Sequence, residues 1–303
     1  MKIGDTIENY LIEAEIGDQK GGYGDLYRAT HNISKENVAL KVSKSPDNKD
    51  RFIAENSILQ KLQPHRHIIA PLSEARTSAP DHHYYFMELA DYDLAKLITN
   101  NPYSTFSTKM SIFREVCIGL QHAHSRDITH RDLHHGNVLF INNTSKLTDF
   151  GLSKDFSSGV NLTKGKPAWG WMVTPPEIRF DIWTTPKLED HIVGDMYALG
   201  MLLYTLFMTP PINEAFLLQT QVQSYLEKYP DSGKDTPEQR FSIYREWLGT
   251  SWAKGHSHLN VELIDDTENE ILNELLVTLT HLDFDNRFNS VTVLLERLGQ
   301  LGV

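Results

Sequence analysis

The chain has 303 residues, 40% of them hydrophobic and 23% charged, enough to bury a sizeable core in an ordinary globular protein. A net charge of −11 argues against nucleic acid or an acidic membrane as the primary partner, since both demand clustered positive charge. The single cysteine, Cys117, excludes an internal disulfide framework and fits a reducing cytoplasm. The segment Met1-Lys2-Ile3-Gly4-Asp5 lacks the apolar core of a signal peptide. The most apolar stretch, Tyr197 to Met208, is shorter than the ~20 residues of a membrane span and reads as a buried core helix.

Residues 1–88 alternate β-rich segments with one helical pattern, from about Asn48 to Leu62. A glycine-rich segment runs through Gly17, Gly21, Gly22, Tyr23 and Gly24, where absent side chains would let backbone N–H groups approach a phosphate. Lys41 ends the apolar run Val38-Ala39-Leu40, a position costly for a cation unless it is paired. Residues 89–303 are mostly helical by period; Ile112, Val116, Leu120 and Ala123 repeat at near-helical spacing. The stretch from about 211 to 262 carries a Pro/Gly/Asp-rich loop, Tyr229 to Pro237, and aromatic residues Tyr244, Trp247 and Trp252 that read as local core.

The most informative segment is His130-Arg131-Asp132-Leu133-His134-His135-Gly136-Asn137, followed by Asp149-Phe150-Gly151. Between them, Val138-Leu139-Phe140-Ile141 reads as a short buried strand and Lys146-Leu147-Thr148 as another, joined through Asn142-Asn143-Thr144-Ser145. Pairing the two antiparallel would bring Asn137 and Asp149 together, so that both could ligate Mg²⁺, a hard ion that takes oxygen donors and keeps substrate phosphates in its shell. Asp132 would then stand beside the metal, placed to orient a hydroxyl nucleophile for phosphoryl transfer.

These residues resemble the catalytic loop (H-R-D-L-x-x-x-N) and metal loop (D-F-G) of the eukaryotic-type Ser/Thr protein kinase family, in a bacterial or otherwise divergent single-domain form. Further family elements follow in order: the glycine-rich segment, Val38-Ala39-Leu40-Lys41, Glu55, Phe86-Met87-Glu88-Leu89, Pro175-Pro176-Glu177, Asp195 and Arg287. The resemblance implies an α+β, two-lobed fold over residues 1–303: a small β-rich lobe (1–88) with the family's helix αC, and a larger, mainly helical lobe (89–303). It implies ATP and Mg²⁺ as cofactors, protein substrates, transient self-association for trans-autophosphorylation, and no nucleic-acid or membrane partner.

By resemblance, Lys41 contacts the α/β-phosphates and is held by Glu55; Leu26, Ala39 and Leu139 sandwich adenine; Met87 is the gatekeeper; Glu88 and Leu89 offer backbone groups to the adenine edge. Asp132 is the catalytic base or hydroxyl-orienting group, and Asn137 and Asp149 are the metal ligands. His130, Phe150 and Leu59 read as packing that keeps the loops in register. Arg131 implies control by phosphorylation nearby, with Ser153, Ser157, Ser158 and Thr163 as candidates.

The chain departs from the family pattern at three places. Gly17 and Gly21 lie four residues apart where the family has two. His134 replaces the Lys that Ser/Thr-specific members carry two residues after the catalytic Asp. Lys166, in Gly165-Lys166-Pro167, is the candidate to supply that missing charge. The alternative readings are a small-molecule phosphotransferase, whose H-x-D-x-H-x-x-N pattern His134 satisfies, and a pseudokinase scaffold.

Overall fold

The computed structural model describes residues 1–16, 24–44, 49–78, 82–101, 104–158, 174–179, 187–207, 239, 266–281 and 283–303. Gly17, Gly21, Gly22, Tyr23, Thr163, Lys166 and the 211–262 stretch apart from Gln239 therefore lie outside the described residues.

The first part of the chain is one antiparallel sheet. Its strands are β1 (Thr6–Ile7), β2 (Tyr10–Ile16), β3 (Gly24–His31), β4 (Asn37–Ser43), β5 (Arg76–Ser78) and β6 (His82–Met87), in the spatial order β1-β2-β3-β4-β6-β5. Central β4 is buried on both faces, and its two-residue period divides its side chains between two cores. Val38, Leu40 and Val42 pack with Ile12, Tyr27, Ala29, Tyr84 and Phe86 on one side. Ala39 points the other way, into the main core. Helix α1 (Lys49–Lys61) covers that second face with Phe52, Glu55, Asn56, Ile58 and Leu59, a stripe at helical spacing.

The rest is mainly helical. After β7 (Tyr92–Asp93) comes α2 (Leu94–Asn100), started by Asp93, whose carboxylate accepts the Lys96 N–H at 2.7 Å. The nineteen-residue α3 (Phe106–His124) starts at Thr105, whose hydroxyl accepts the Thr108 N–H. Next come β8 (Ile128–Thr129), β9 (Val138–Ile141), β10 (Thr144–Leu147), β11 (Lys154–Asp155) and the short α4 (Pro176–Arg179). Helix α5 (Leu188–Phe207) is buried without interruption from Gly194 to Phe207, as an all-round apolar helix must be. Two further helices, α6 (Asp266–Leu279) and α7 (Val291–Leu301), pack on α5 and α3 respectively. Among the described residues no helix is long and apolar enough to cross a membrane.

Two small β-pairings shape the region between the sheet and the helices. Strands β9 and β10 form an antiparallel hairpin with Thr144 opposite Ile141. Its turn is two residues long, Asn142-Asn143, both left-handed at φ 50° and 59°, rather than the four residues expected from sequence. Asparagine tolerates that conformation, and a turn with positive φ at both central positions matches the twist of the flanking strands. Strand β8 pairs with β11, which draws the segments before His130 and after Asp149 to one place.

Candidate active site

Strand β4 and helix α1 deliver the first part of the site. Lys41 sits opposite Tyr85 and Leu26 in the sheet and is nearly inaccessible, at 7% exposure. Its Nζ donates to Glu55 Oε1 at 2.5 Å and lies 3.4 Å from Asp149 Oδ1. The Tyr85 hydroxyl donates to the same Glu55 oxygen at 3.0 Å. Burial alone would lower the Lys41 pKa, but the Asp149 and Glu55 carboxylates outweigh it and hold the ammonium charged, well above its ordinary range. Helix α1 is also tied to the second loop, since Arg51 Nε donates to the Gly151 carbonyl at 2.5 Å.

Asp195, fully buried near the start of α5, organises the loop that carries Asp132. Its carboxylate accepts the N–H groups of His130 and Arg131, each at 2.8 Å, and a hydrogen bond from His124 Nε2 at 2.9 Å. Burial pushes its pKa up, but these donors win and hold it below the ordinary value, so the group is ionised. Clamped this way, Arg131 takes a left-handed backbone conformation, φ 63°, which an ordinary side chain adopts only when its surroundings fix it. The ring of His130 donates from Nε2 to the Thr148 carbonyl at 3.0 Å, accepts the Asp132 N–H at Nδ1, and packs 4.7 Å from the Phe150 ring. Leu59, His130 and Phe150 are all fully buried.

Backbone hydrogen bonding draws Asp132, Asn137 and Asp149 to this junction, where the Thr148 N–H donates to the Asn137 carbonyl at 3.1 Å. Asn137 Nδ2 donates to the Asp132 carbonyl at 2.8 Å, which fixes the amide and leaves Oδ1 as an oxygen donor. Asp149 is left-handed, φ 56°, at the end of the segment that follows β10. The two aspartates lie in opposite electrostatic settings. Burial, and then the negative charge of Asp149, raise the Asp132 pKa from 3.8 to about 7. For Asp149, burial is outweighed by Lys41 and His130, and the pKa falls below 3.8. Carboxyl groups separated in this way can take different roles at one pH.

A family model for the protein kinase domain matches residues 10–296. The chain belongs to the protein kinase family. It is 31% identical over 214 residues to a Serine/threonine-protein kinase par-4 of Caenorhabditis briggsae, covering 66% of this chain and 31% of that protein. It is 32% identical over 158 residues to a Mitogen-activated protein kinase MPS1 of Pyricularia oryzae, covering 50% and 37%. It is 28% identical over 221 residues to a CTD kinase subunit alpha of Saccharomyces cerevisiae, covering 71% and 40%. The chain thus spans 31% to 40% of the length of these three relatives.

Of the residues the kinase resemblance assigned to adenine, Ala39 and Met87 are cross-strand neighbours in the sheet. Ala39 and Met87 are buried in the main core, and Leu26, Leu89 and Leu139 pack against that core while staying partly exposed. Gly24 is the described member of the glycine-rich segment and opens β3. The Glu88 N–H donates to the Ala70 carbonyl at 3.0 Å, so the backbone group it has to offer an adenine edge is its carbonyl. Its carboxylate accepts from Ala70 N at 2.9 Å and Lys146 Nζ at 2.7 Å, fastening the link between sheet and helices.

One expectation about phosphorylation changes. Ser153 is fully buried and its hydroxyl donates to the His130 carbonyl at 3.2 Å, so it is unavailable to a kinase. Arg131 donates from Nε to the Leu152 carbonyl at 2.7 Å. Ser157 and Ser158 are exposed, and the Ser157 hydroxyl lies 2.5 Å from Lys61 Nζ and 2.7 Å from Asp155 Oδ1. One signal points to the Asp195 clamp: an aspartate inside an otherwise apolar helix is rarely buried without several donors.

Glu177 and Arg287 form a second buried clamp. The guanidinium meets both carboxylate oxygens, at 2.6 and 2.9 Å, and stacks 4.9 Å over the Tyr197 ring. Both side chains are 0% exposed, and the pair ties α4 to α5 and to the loop before α7.

Proposed function

We propose that the chain is an ATP-dependent protein kinase that transfers the γ-phosphoryl group to Ser or Thr hydroxyls of protein substrates. The observation that carries this reading is the junction of an ionised Asp149, a charged Lys41 held by Glu55, and an Asp132 poised near neutrality. Phosphoryl transfer needs little covalent chemistry from the protein; it needs positive charge beside the phosphates and a group that orients the acceptor. In this reading Lys41 contacts the α/β-phosphates, Glu55 and Tyr85 hold it in place, and Asp132 accepts the hydrogen bond of the incoming hydroxyl. Leu26, Ala39, Met87, Leu89 and Leu139 line the adenine slot.

Mg²⁺ would supply charge neutralisation at the phosphate oxygens. The donor set fits it: the Asn137 amide oxygen and the Asp149 carboxylate are both hard ligands. Among the described residues no group of three or more His, Cys, Asp or Glu side chains could hold a metal. Two protein ligands would leave positions for phosphate and water, the arrangement Mg²⁺ favours in nucleotide sites.

The names of the relatives support Ser/Thr acceptors, and the exposed Ser157 and Ser158 support autophosphorylation through transient self-association. A cytoplasmic setting is supported by Cys117, a buried thiol whose pKa burial pushes well up, away from reactivity. The test is purified protein with ATP, Mg²⁺ and peptide libraries carrying Ser, Thr or Tyr as the only acceptor. Phosphorylation of the Ser and Thr sets, lost on Lys41→Met, supports the proposal; transfer confined to free metabolites refutes it.

A further inference from the structure

The position that most distinguishes this catalytic loop is His134, and its surroundings fix how the ring is protonated. His134 precedes the 3₁₀ turn His135–Asn137, and its Nδ1 accepts the Gly136 N–H at 3.0 Å. A backbone N–H can only donate, so Nδ1 carries no proton and the neutral ring carries its hydrogen on Nε2. That nitrogen lies 3.9 Å from Asp132 Oδ1, within reach of a hydrogen bond after a small movement or through one water. The His134 and Asp132 side chains are 23% and 18% exposed.

The loop has space for this ring only because residue 136 is glycine. A Cβ there would stand 2.8 Å from His134 Cε1 and 3.1 Å from Nδ1, too close for the ring to stay. The Gly136 N–H aimed at Nδ1 leaves no place for a second ring proton, so the ring is neutral in this geometry.

We propose that His134 is a positioning residue, which aims the Asp132 carboxylate at the acceptor hydroxyl by a neutral Nε2–H donor cradled against Gly136. This rests on the protein-kinase reading of the site and deepens it. The charge absent from this position then needs no replacement by Lys166, since a directed donor can steer a carboxylate without adding a cation.

The test uses the full chain in two measurements. The first is ¹⁵N NMR of the histidine rings at pH 7, assigned with His134→Gln. A neutral His134 protonated on Nε2 supports the inference; a charged ring, or one protonated on Nδ1, overturns it whether or not a kinase substrate is known. The second is steady-state kinetics on the best acceptor peptide. His134→Ala is expected to lower kcat by about 10- to 100-fold with little change in the KM for ATP. Gly136→Ala should shift kcat in the same direction by displacing the ring, and His134→Gln should recover part of the loss through its amide donor. A kcat for His134→Ala within about twofold of the parent would overturn the inference while leaving the kinase reading intact. A parent protein with no transfer to any acceptor would instead sink the kinase reading, and the NMR result would still decide the ring's tautomer.

Discussion

Replacing Asp132 with Asn should abolish most catalysis and at the same time make the free protein more stable, by an amount that depends on pH. The Asp132 pKa is 3.8 in an unfolded chain and about 7 in the fold, so the folded state prefers the protonated acid. A raised folded pKa contributes stability that is fully present below pH 3.8 and is lost as pH rises through about 7. Asparagine keeps the neutral form at every pH and never incurs that loss. At about 1.36 kcal/mol per pK unit, the variant should exceed the parent by about 2 kcal/mol at pH 5.5 and about 4 kcal/mol at pH 8. The side chain is 18% exposed, so solvent screening trims these figures only modestly. Urea unfolding of both proteins, with a chelator and without nucleotide, measures the difference. A gap that stays constant between pH 5.5 and 8, or one of opposite sign, would refute the assigned protonation of Asp132.

Truncating Arg287 to Ala leaves the Glu177 carboxylate buried and alone, so unfolding should cost about 3–5 kcal/mol less. A cycle with Glu177→Gln should recover a large share, measured by the same unfolding assay. Gly200→Ala on α5 places a Cβ 2.5 Å from Thr280 Cγ2 and 2.8 Å from Leu279 Cβ; the overpacking should destabilise by about 1–3 kcal/mol, read by thermal unfolding. Asp195→Asn keeps the size but replaces one acceptor oxygen by a donor facing the N–H groups of His130 or Arg131 or the His124 ring. Activity should fall at least about tenfold, because the loop that orients Asp132 loses an anchor; unchanged kcat/KM would show that the loop holds itself.

How far the site could be read from sequence depended on the distance over which each interaction acts. The hairpin between Asn137 and Asp149 was visible because two apolar runs flank turn-forming residues. Its turn length was not, since Thr144 and Ser145 look like turn residues yet pair with Ile141 and Phe140. The Lys41–Glu55 contact followed from motif order, as did the neighbourhood of Asp132, Asn137 and Asp149. The Asp195 clamp was hidden, because its donors lie 64 to 71 positions away and nothing local marks them. The burial of Ser153 was hidden for the same reason: its partner is the carbonyl of His130, across the β8–β11 pairing. Backbone satisfaction also escapes a sequence reading, as Glu88 shows, because the N–H it lacks for a ligand is taken by Ala70 from a segment eighteen residues earlier.

The junction of Lys41, Asp132, Asn137 and Asp149 is proposed to perform phosphoryl transfer from ATP to protein hydroxyls. Purified protein incubated with Mg²⁺, γ-labelled ATP and a Ser/Thr peptide library tests it most directly, with the Asp149→Asn variant alongside. Label is expected on Ser or Thr residues with the parent, with a loss of at least about a hundredfold for the variant. Equal labelling by the two proteins, or labelling of neither library nor protein, would contradict it.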